Sequence, residues 1–248
     1  MNVDVLMDTW AWLTDPVNWR GEDGLWHLLL QQLLLTFTAL GIALAIGLPL
    51  ALWLGHLGRG GFLAINISNV GRAIPTFAVL ALLVMWEPVG TDVLGPYGRA
   101  GLATLLALAL FGLPPIVTNA YVAVDQVDKD AVQAARAMGM RPRQVLLGVE
   151  LPLALPLTFA GIRTAAVYVV ATATLAALAG GGGLGDIIVN QPTYGPEGVV
   201  AGSIAIAVLA FATEGFFALL QYLVTPRGLR KRGEEALLEP AITPATNQ

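Results

Sequence analysis

Five apolar segments, each long enough to cross a lipid bilayer, leave few folds open to this sequence. They cover about residues 25–54, 62–86, 101–124, 153–179 and 199–224. A spanning helix needs about 20 mainly apolar residues, because each residue adds about 1.5 Å along the helix axis. Charged residues make up 12% of the chain, against roughly 25% in soluble domains. Too few charges are present to cover a water-facing surface, so the sequence predicts an all-α, polytopic membrane protein with about five transmembrane helices.

The segments outside these spans divide the chain into three parts. Residues 1–24 are rich in tryptophan, which favours the headgroup zone of a membrane, so we expect an interfacial segment there, with a disordered terminus as the alternative. Acidic residues precede Arg20, the first basic residue, and a cleavable signal peptide is not expected. Residues 25–225 form the membrane domain, and residues 226–248 form a solvent-exposed tail. Cysteine is absent, which excludes disulfides and cysteine-based metal sites, and the net charge of -4 gives no reason to expect nucleic acid.

The distribution of positive charge predicts how the chain is oriented in the membrane. Cytoplasmic loops collect lysine and arginine. Most of these residues lie in the odd-numbered connections and the tail: Arg59, Lys129, Arg136, Arg141, Arg143, Arg227, Arg230, Lys231 and Arg232. The opposite side holds Arg20 and Arg99 beside a set of acidic residues. We therefore expect the amino terminus outside and the carboxyl terminus inside.

One cytoplasmic connection, residues 125–152, has the pattern of two short helices joined by a turn. Alanines between Ala131 and Ala137 favour a helix, and Gly139 suits the left-handed position that ends one. Pro142 fits the first turn of the next helix, where its missing N–H costs nothing. The small side chains would let the surface of another protein approach closely. A plain solvated loop between two membrane helices is the alternative.

The same connection resembles the coupling signature of ABC importer permeases. That signature runs Glu-Ala-Ala, three residues, Gly, nine residues, Ile, one residue and Leu-Pro. The residues that match it, with every spacing kept, are Gln133, Ala134, Ala135, Gly139, Val149, Leu151 and Pro152. Gln133 replaces the acid of the signature and Val149 replaces the isoleucine. In that family the loop docks into a groove on a cytoplasmic ATPase and carries its closing motion to the membrane helices, which implies an ATPase-coupling role for this loop, with Met140 included.

Three further stretches resemble one branch of that family, the permeases for osmoprotectants such as glycine betaine, choline or carnitine. They are Arg72-Ala-Ile-Pro-Thr76, Leu113-Pro-Pro-Ile-Val-Thr-Asn119, and the segment that runs from Ala171 to Gly185. The resemblance covers roughly residues 25–225 and implies the MetI-like fold of type I ABC importer permeases, with cytoplasmic coupling helices. A permease for an amino acid such as methionine is the alternative within the family.

Polar residues inside the predicted spans are candidates for lining a translocation path. An arginine at mid-bilayer costs about 2.5–3.5 kcal/mol on insertion scales, so such residues usually face protein or water. The candidates are Asn69, Arg72, Thr76, Arg163 and Thr174. On a continuous helix the first three share one face with Asn66. The alternative is that these residues only hold the bundle together through interhelical hydrogen bonds, which we favour for Asn66 and Glu214.

A glycine-rich stretch, residues 180–185, follows the fourth span on the outer side. It matches the pattern G-x-G-x-x-G, but that fingerprint needs a preceding strand, and the sequence contains no G-x-x-x-x-G-K-[ST] phosphate loop. We therefore expect no ATP hydrolysis on this chain. We expect an outer gate or hinge at Gly180, Gly183 and Gly185, followed by a short helix near residues 186–190. Acidic residues that could receive a solute-binding protein, or be solvated loop acids only, are Glu87, Asp92, Asp186 and Glu197.

Together these features predict a non-catalytic transport subunit of the bacterial inner membrane that works by alternating access, with no metal or cofactor of its own. The expected partners are a cytoplasmic ABC ATPase dimer that binds ATP and Mg²⁺, a second permease copy, identical or different, an extracytoplasmic solute-binding protein and the lipid bilayer. Two rival classes are an ion-gradient-driven secondary transporter with Glu214 as its relay and a membrane assembly factor without solute flux. Aromatic candidates for holding a quaternary ammonium solute by cation–π attraction are Trp86, Tyr97, Tyr168 and Tyr194.

Overall fold

The computed structural model describes residues 3–62, 66, 71, 74–86, 101–180 and 182–225, and in that part of the chain the regular structure is helical. The α-helices are α1 (Val3–Thr14), α2 (Leu25–His56), α3 (Thr76–Met85), α4 (Gly101–Asp125), α5 (Lys129–Ala137), α6 (Pro142–Val145), α7 (Leu151–Ala173), α8 (Gly185–Val189) and α9 (Gln191–Val224). Two 3-10 segments, Pro16–Trp19 and Thr174–Ala179, and one π-helical turn, Leu146–Glu150, join them. The predicted all-α class is confirmed.

Four stretches of the described chain are long and apolar enough to cross a bilayer: Leu25–His56, Gly101–Asp125, Pro142–Ala179 and Gln191–Val224. They correspond to four of the five predicted spans, with several ends moved outward. The fourth span extends into the cytoplasmic connection because α6, the π-helical turn and α7 form one continuous rod. The fifth begins earlier than predicted, at Gln191, although Gly195 interrupts its helical backbone with a φ of +70°.

The second predicted span, residues 62–86, is not the continuous helix that its apolar run suggested. Ile74 forms a bend and Pro75 is extended, with a ψ of 118°, so α3 begins as a new helix at Thr76. Proline has no N–H for the preceding turn and disfavours helical backbone in the residue before it. The ten residues of α3 reach about 15 Å, half of a bilayer. Part of this predicted span lies outside the described residues.

Helix α4 lies at the centre of the bundle. It packs against α2 on one side and α7 on the other, and α9 packs against α7. A Cβ at Gly161 of α7 would lie 2.5 Å from Asn119 Cβ and 2.8 Å from the carbonyl oxygen of Pro115 on α4. Inside lipid there is no hydrophobic drive between helices, so such close van der Waals packing of small residues holds the bundle together.

The amino-terminal segment is helical from Val3 to Thr14. Helix α1 packs against α9. After it the chain turns back: Asn18 Nδ2 donates to the carbonyl of Trp12 at 2.9 Å, and Trp19 Nε1 donates to the carbonyl of Leu13 at 2.7 Å. Trp12 also packs into a cluster with Leu25 at the start of α2. These contacts tie the segment to the first turns of α2 and to α9.

Candidate functional site

The first of the two predicted short helices, α5, is present, and both of its ends are capped by their own sequence. The second, α6, is not separate, because it begins the continuous rod of the fourth span. The Asp128 carboxylate accepts the backbone N–H two residues on, at 2.9 Å. At the other end Gly139 has a φ of +83°. Its N–H donates to the carbonyl of Arg136, and that of Met140 donates to the carbonyl of Ala135. This is the Schellman arrangement, which requires a left-handed residue and therefore favours glycine.

Helix α5 has one face packed on the bundle and one face exposed. The inward residues Val132 and Ala135 belong to a buried cluster with Val124, Val127 and Val145. The coupling signature suggested that Ala135 contacts the ATPase. In the structure its side chain is 2% exposed, so it anchors the helix to the bundle. Met140, Leu151 and Pro152 are half-buried.

The exposed face of α5 and its turn, which we call the coupling face, comprises Gln133, Ala134, Met138 and Gly139. Sequence reasoning missed Met138, which is 77% exposed. The spacing of Val132 and Ala135, three residues apart, marks the inward face of α5 but does not place Met138 on the exposed one. Met138 lies beyond the last helical residue, where helical spacing no longer applies.

The π-helical turn Leu146–Glu150 marks the point where this connection becomes a membrane span. The N–H of Leu151 donates to the carbonyl of Leu146, five residues back, and Pro152 has no N–H to donate. A proline ring also clashes with the carbonyl four residues earlier in a regular α-helix, so the wider turn accommodates it. Such turns are rare and frequently found at functional sites.

Two charged residues in the spans pair with each other near mid-membrane. Arg163 Nε and Glu214 Oε1 lie 3.0 Å apart, with side chains 37% and 43% exposed. Arg163 Nη1 also donates to Gln221 Oε1 at 3.4 Å, and Gln221 Nε2 donates to the carbonyl of Pro156 at 2.9 Å. Arg163 is roughly 18 Å along α7 from Leu151, and Glu214 is roughly 15 Å from the end of α9. The sequence did not require these two residues to pair, because they come from different spans.

The other candidates for the translocation path do not form one polar face in the described part of the chain. Asn69 and Arg72 lie outside the described residues. Thr76 is half-buried at the start of α3, beyond the Pro75 break, so it does not continue a helical stripe from Asn66. Asn66 itself donates to the carbonyl of Phe62 at 2.7 Å. The single polar stripe predicted for this span therefore does not extend to Thr76.

The glycine-rich stretch lies against two neighbouring glutamines of α2, Gln31 and Gln32, which the sequence analysis did not single out. Three of its glycines have left-handed φ values: Gly180 (+77°), Gly182 (+75°) and Gly183 (+86°). Gln31 Oε1 accepts the N–H of Gly183 at 3.0 Å. Gln32 is fully buried and donates to the carbonyl of Val170 on α7 at 3.0 Å. A Cβ at Gly183 would lie 2.5 Å from Gln32 Oε1, so this site requires glycine.

Thr174 lies beside the glycine-rich stretch, at the point where α7 tightens into the 3-10 segment. Its N–H is directed to the carbonyl of Thr172, and the carbonyl of Val170 accepts Gln32 instead. A Cβ at Gly185 would overlap the carbonyl oxygen of Thr174. The Thr174 hydroxyl is buried, with no hydrogen-bond partner in the described part of the chain. In this conformation Thr174 therefore packs against the predicted outer hinge. The short helix predicted after the hinge is confirmed as α8.

The aromatic candidates do not come together. Tyr168 packs in a cluster with Leu80 and Phe111, whereas Tyr194 packs in a different cluster and donates its hydroxyl to the carbonyl of Asp23 at 3.0 Å. Trp86 is 58% exposed. Tyr97 and the acidic residues Glu87 and Asp92 lie outside the described residues. Among the described aromatic candidates there is accordingly no cage for a quaternary ammonium group.

Solved structures with a similar fold come from ABC transporters. One is a chain of the MetNI methionine ABC transporter in an inward-facing conformation, with a TM-score of 0.67 and 24% identity, covering 86% of this chain and 100% of that one. Another is a chain of an amino acid ABC transporter solved with histidines, with a TM-score of 0.61 and 21% identity, covering 90% of this chain and 98% of that one. These likenesses establish the fold.

Curated relatives are more similar in sequence. The chain is 33% identical over 205 residues to the carnitine transport permease protein OpuCB of Listeria monocytogenes, covering 82% of this chain and 89% of the relative. It is 30% identical to the choline transport system permease protein OpuBB of Bacillus subtilis, covering 82% and 90%. It is 33% identical over 225 residues to the osmoprotectant import permease protein OsmW of Salmonella typhimurium, covering 90% and 100%.

The profile of one family, the binding-protein-dependent transport system inner membrane component, matches residues 29–229. The match includes all four long apolar helices, the cytoplasmic connection and the glycine-rich stretch. The chain therefore belongs to the family of binding-protein-dependent transport system inner membrane components, the non-catalytic, multi-pass permease subunits of ABC transporters.

Proposed function

We propose that this chain is the permease through which an ATP-driven importer carries an osmoprotectant, such as glycine betaine, choline or carnitine, across the bacterial inner membrane. The observation that carries the proposal is the identity of 30–33%, over 82% or more of the chain, to relatives named as choline, carnitine and osmoprotectant permeases. The methionine alternative has weaker support, because the likeness to MetNI, at 24% identity, concerns the fold alone.

The coupling face is the docking surface for a cytoplasmic ABC ATPase dimer, which binds ATP and Mg²⁺ and performs the hydrolysis. Its small side chains at Ala134 and Gly139 permit close approach, and the buried Val132 and Ala135 fix α5 to the bundle. A force on the coupling face is therefore passed to the spans instead of bending a loose loop. Gln133 can donate as well as accept a hydrogen bond, so its contact with the ATPase differs from that of the acid usual in the signature.

A second permease copy faces the Arg163–Glu214 pair. Both side chains are more than one third exposed near mid-membrane, and a charge facing lipid at that depth is costly. This face therefore borders either a water-filled path or the partner copy, which supports a pathway between two permeases. Asn69, Arg72 and Thr76 remain proposed path residues, and alternating access exposes the path to each side in turn.

The amino terminus lies outside and the carboxyl terminus inside, as the distribution of positive charge predicts. The ends of the spans near Gly180, Gly183 and Gly185 then face outward, where a separate solute-binding protein delivers the solute. Asp186 and Glu197 are the two described residues among the four acidic candidates for contact with that protein. The left-handed glycines and the Gln31 contact support a role for this stretch as the outer gate or hinge.

The test is reconstitution of the chain with its ATPase and solute-binding protein in proteoliposomes, with labelled glycine betaine, choline, carnitine and methionine. We expect ATP-dependent uptake of at least one quaternary ammonium solute and no methionine uptake. A second set of vesicles, with proton and sodium gradients collapsed, should transport equally well. Uptake that disappears with the gradient but persists without ATP would establish the secondary transporter instead, and the absence of any flux would favour the assembly factor.

The pairing of Glu214 with Arg163 bears on that rival. A proton relay needs a carboxyl group that releases its proton during the cycle, whereas a carboxylate 3.0 Å from a guanidinium already has a role in balancing its charge. We therefore expect the variant Glu214→Gln to keep ATP-driven uptake above background. Complete loss of uptake in this variant, together with normal assembly, would support the relay.

A further inference from the structure

A buried hydrogen bond joins the last residue of the first span to the end of the cytoplasmic connection. His56 Nδ1 and Glu150 Oε2 lie 2.6 Å apart, and the two side chains are 6% and 5% exposed. This separation is that of a short hydrogen bond between the imidazole and the carboxyl group. The pair bridges 94 positions in sequence, and nothing in the coupling signature or the path candidates accounts for it.

Each partner is held by its own surroundings. Next to His56, a Cβ at Gly55 would lie 2.9 Å from Val124 Cβ and 3.0 Å from the carbonyl oxygen of Tyr121, so the end of α2 touches the end of α4 closely. Glu150 is the last residue of the π-helical turn and directly precedes Leu151, where α7 begins. The bond therefore fastens α2 to the segment that leads out of the coupling connection.

Beside the pair is a cavity of about 270 Å³ between the end of α2 and α5. His56 and Glu150 line one side of it, and Lys129, Gln133 and Arg136 of α5 line the other. Such a space holds several water molecules, at about 30 Å³ each. Open space separates α5 from the end of α2 on this side, so the His56–Glu150 bond provides a direct link between α2 and the coupling connection there.

We propose that His56 and Glu150 are positioning residues for energy coupling: their bond makes α2 follow the motion that the ATPase gives to the coupling connection. The apolar contacts of Val132 and Ala135 fix α5 to the bundle. The hydrogen bond adds a link from the same connection to α2, and it holds its two atoms within a few tenths of an ångström. The inference rests on the proposed function, because it assigns a path for the force that the ATPase exerts.

The test measures solute imported per ATP hydrolysed in reconstituted proteoliposomes. We expect Glu150→Leu to lower this ratio about tenfold or more, since it leaves the buried imidazole without its acceptor. Glu150→Gln keeps an acceptor oxygen and should restore at least half of the ratio. As a matched control, Thr9→Val removes a buried hydroxyl that bonds to the carbonyl of Val5 in its own helix, and the ratio should stay unchanged.

The double variant His56→Leu with Glu150→Leu separates positioning from stability. Replacing both partners by apolar groups can be nearly neutral for stability, because no buried polar group is left unpaired. We expect this variant to assemble and to unfold near the wild-type temperature, yet to keep the low ratio of the single variant. A double variant with the wild-type ratio would overturn the inference. A wild-type complex without ATP-driven uptake would instead refute the proposed function, so the two failures are distinguishable.

Discussion

The Arg163–Glu214 pair allows a measurement that decides what this face of the bundle borders. We consider three variants: Arg163→Gln, Glu214→Gln and the double variant that carries both. Each single variant leaves one charge near mid-membrane without its partner, and the double variant leaves none. The interaction energy from this double-mutant cycle depends on whether water, protein or lipid surrounds the remaining charge.

The expected magnitude differs several-fold between the surroundings. Two unit charges 3.0 Å apart attract by about 1.4 kcal/mol in water. Screening and side-chain entropy reduce exposed pairs to about 1 kcal/mol or less. Against lipid, a single unpaired charge at the bilayer centre costs about 2.5–3.5 kcal/mol on insertion scales. Because we place the pair on a hydrated interface between two permeases, we expect each single variant to cost about 1 kcal/mol or less.

The assay is unfolding of the assembled permease pair in lipid bicelles by denaturing detergent, followed by the fluorescence of the six tryptophans. Thr164→Val is the matched control, because its exposed neighbouring hydroxyl bonds to the carbonyl of Ala160 in its own helix. Costs of about 3 kcal/mol in both single variants, with recovery in the double variant, would show that the pair faces lipid. That result would refute the assignment of this face to the translocation path.

Three further outcomes follow from the glycines and the charge distribution. Gly139 has a φ of +83°, and a Cβ there would have no atom within 4 Å, so Gly139→Val costs about 1–2 kcal/mol of backbone strain without a steric clash. Co-purification of the ATPase with this variant should fall several-fold. The matched variant Gly21→Val, at another left-handed glycine, should co-purify the ATPase as the wild type does. Gly183→Ala should impair uptake and lower the unfolding temperature, because its Cβ would press on a buried glutamine, whereas Gly41→Ala has open space and should do neither. The chain has no cysteine, so single cysteines can be introduced to test its orientation. The variant Arg143→Cys should react with an impermeant thiol reagent only from the cytoplasmic side, and Gly21→Cys only from outside. The reverse labelling would contradict the proposed orientation.

The features that the sequence predicted well are those set by local chemistry. The end of α5 at Gly139 is one of them, because its capping bonds join residues only three to five positions apart. The cap at Asp128 is equally local, although the sequence analysis did not name it. The helix α8 after the glycine-rich stretch and the long apolar spans were also predicted from the residues within each segment. Local rules also show which side of α5 is free, because Val132 and Ala135 share one face.

The features that the sequence did not predict depend on which helices are neighbours. Arg163 pairs with Glu214, and Gln32 bonds to Val170, across separations of 51 and 138 positions in the chain. No periodicity within one helix contains that information. The prediction of a continuous second span was wrong for a local reason. Mean hydropathy is calculated over many residues and does not register Pro75, whose ring changes the backbone at its own position and at the one before it.

The contacts between α2 and α7 suggest how motion at the coupling face reaches the outer side. The rod Pro142–Ala179 spans 38 residues, about 57 Å at helical rise, from the cytoplasmic connection to the glycine-rich stretch. Helix α2 is tied to this rod at both ends, by His56–Glu150 at one and Gln32–Val170 at the other. On the proposed function, these two bonds lead us to expect that α2 and the rod move together when the coupling face is displaced. The rod is followed by the glycine-rich stretch, whose left-handed glycines carry no side chains, and we expect that stretch to be where the displacement opens or closes the outer side.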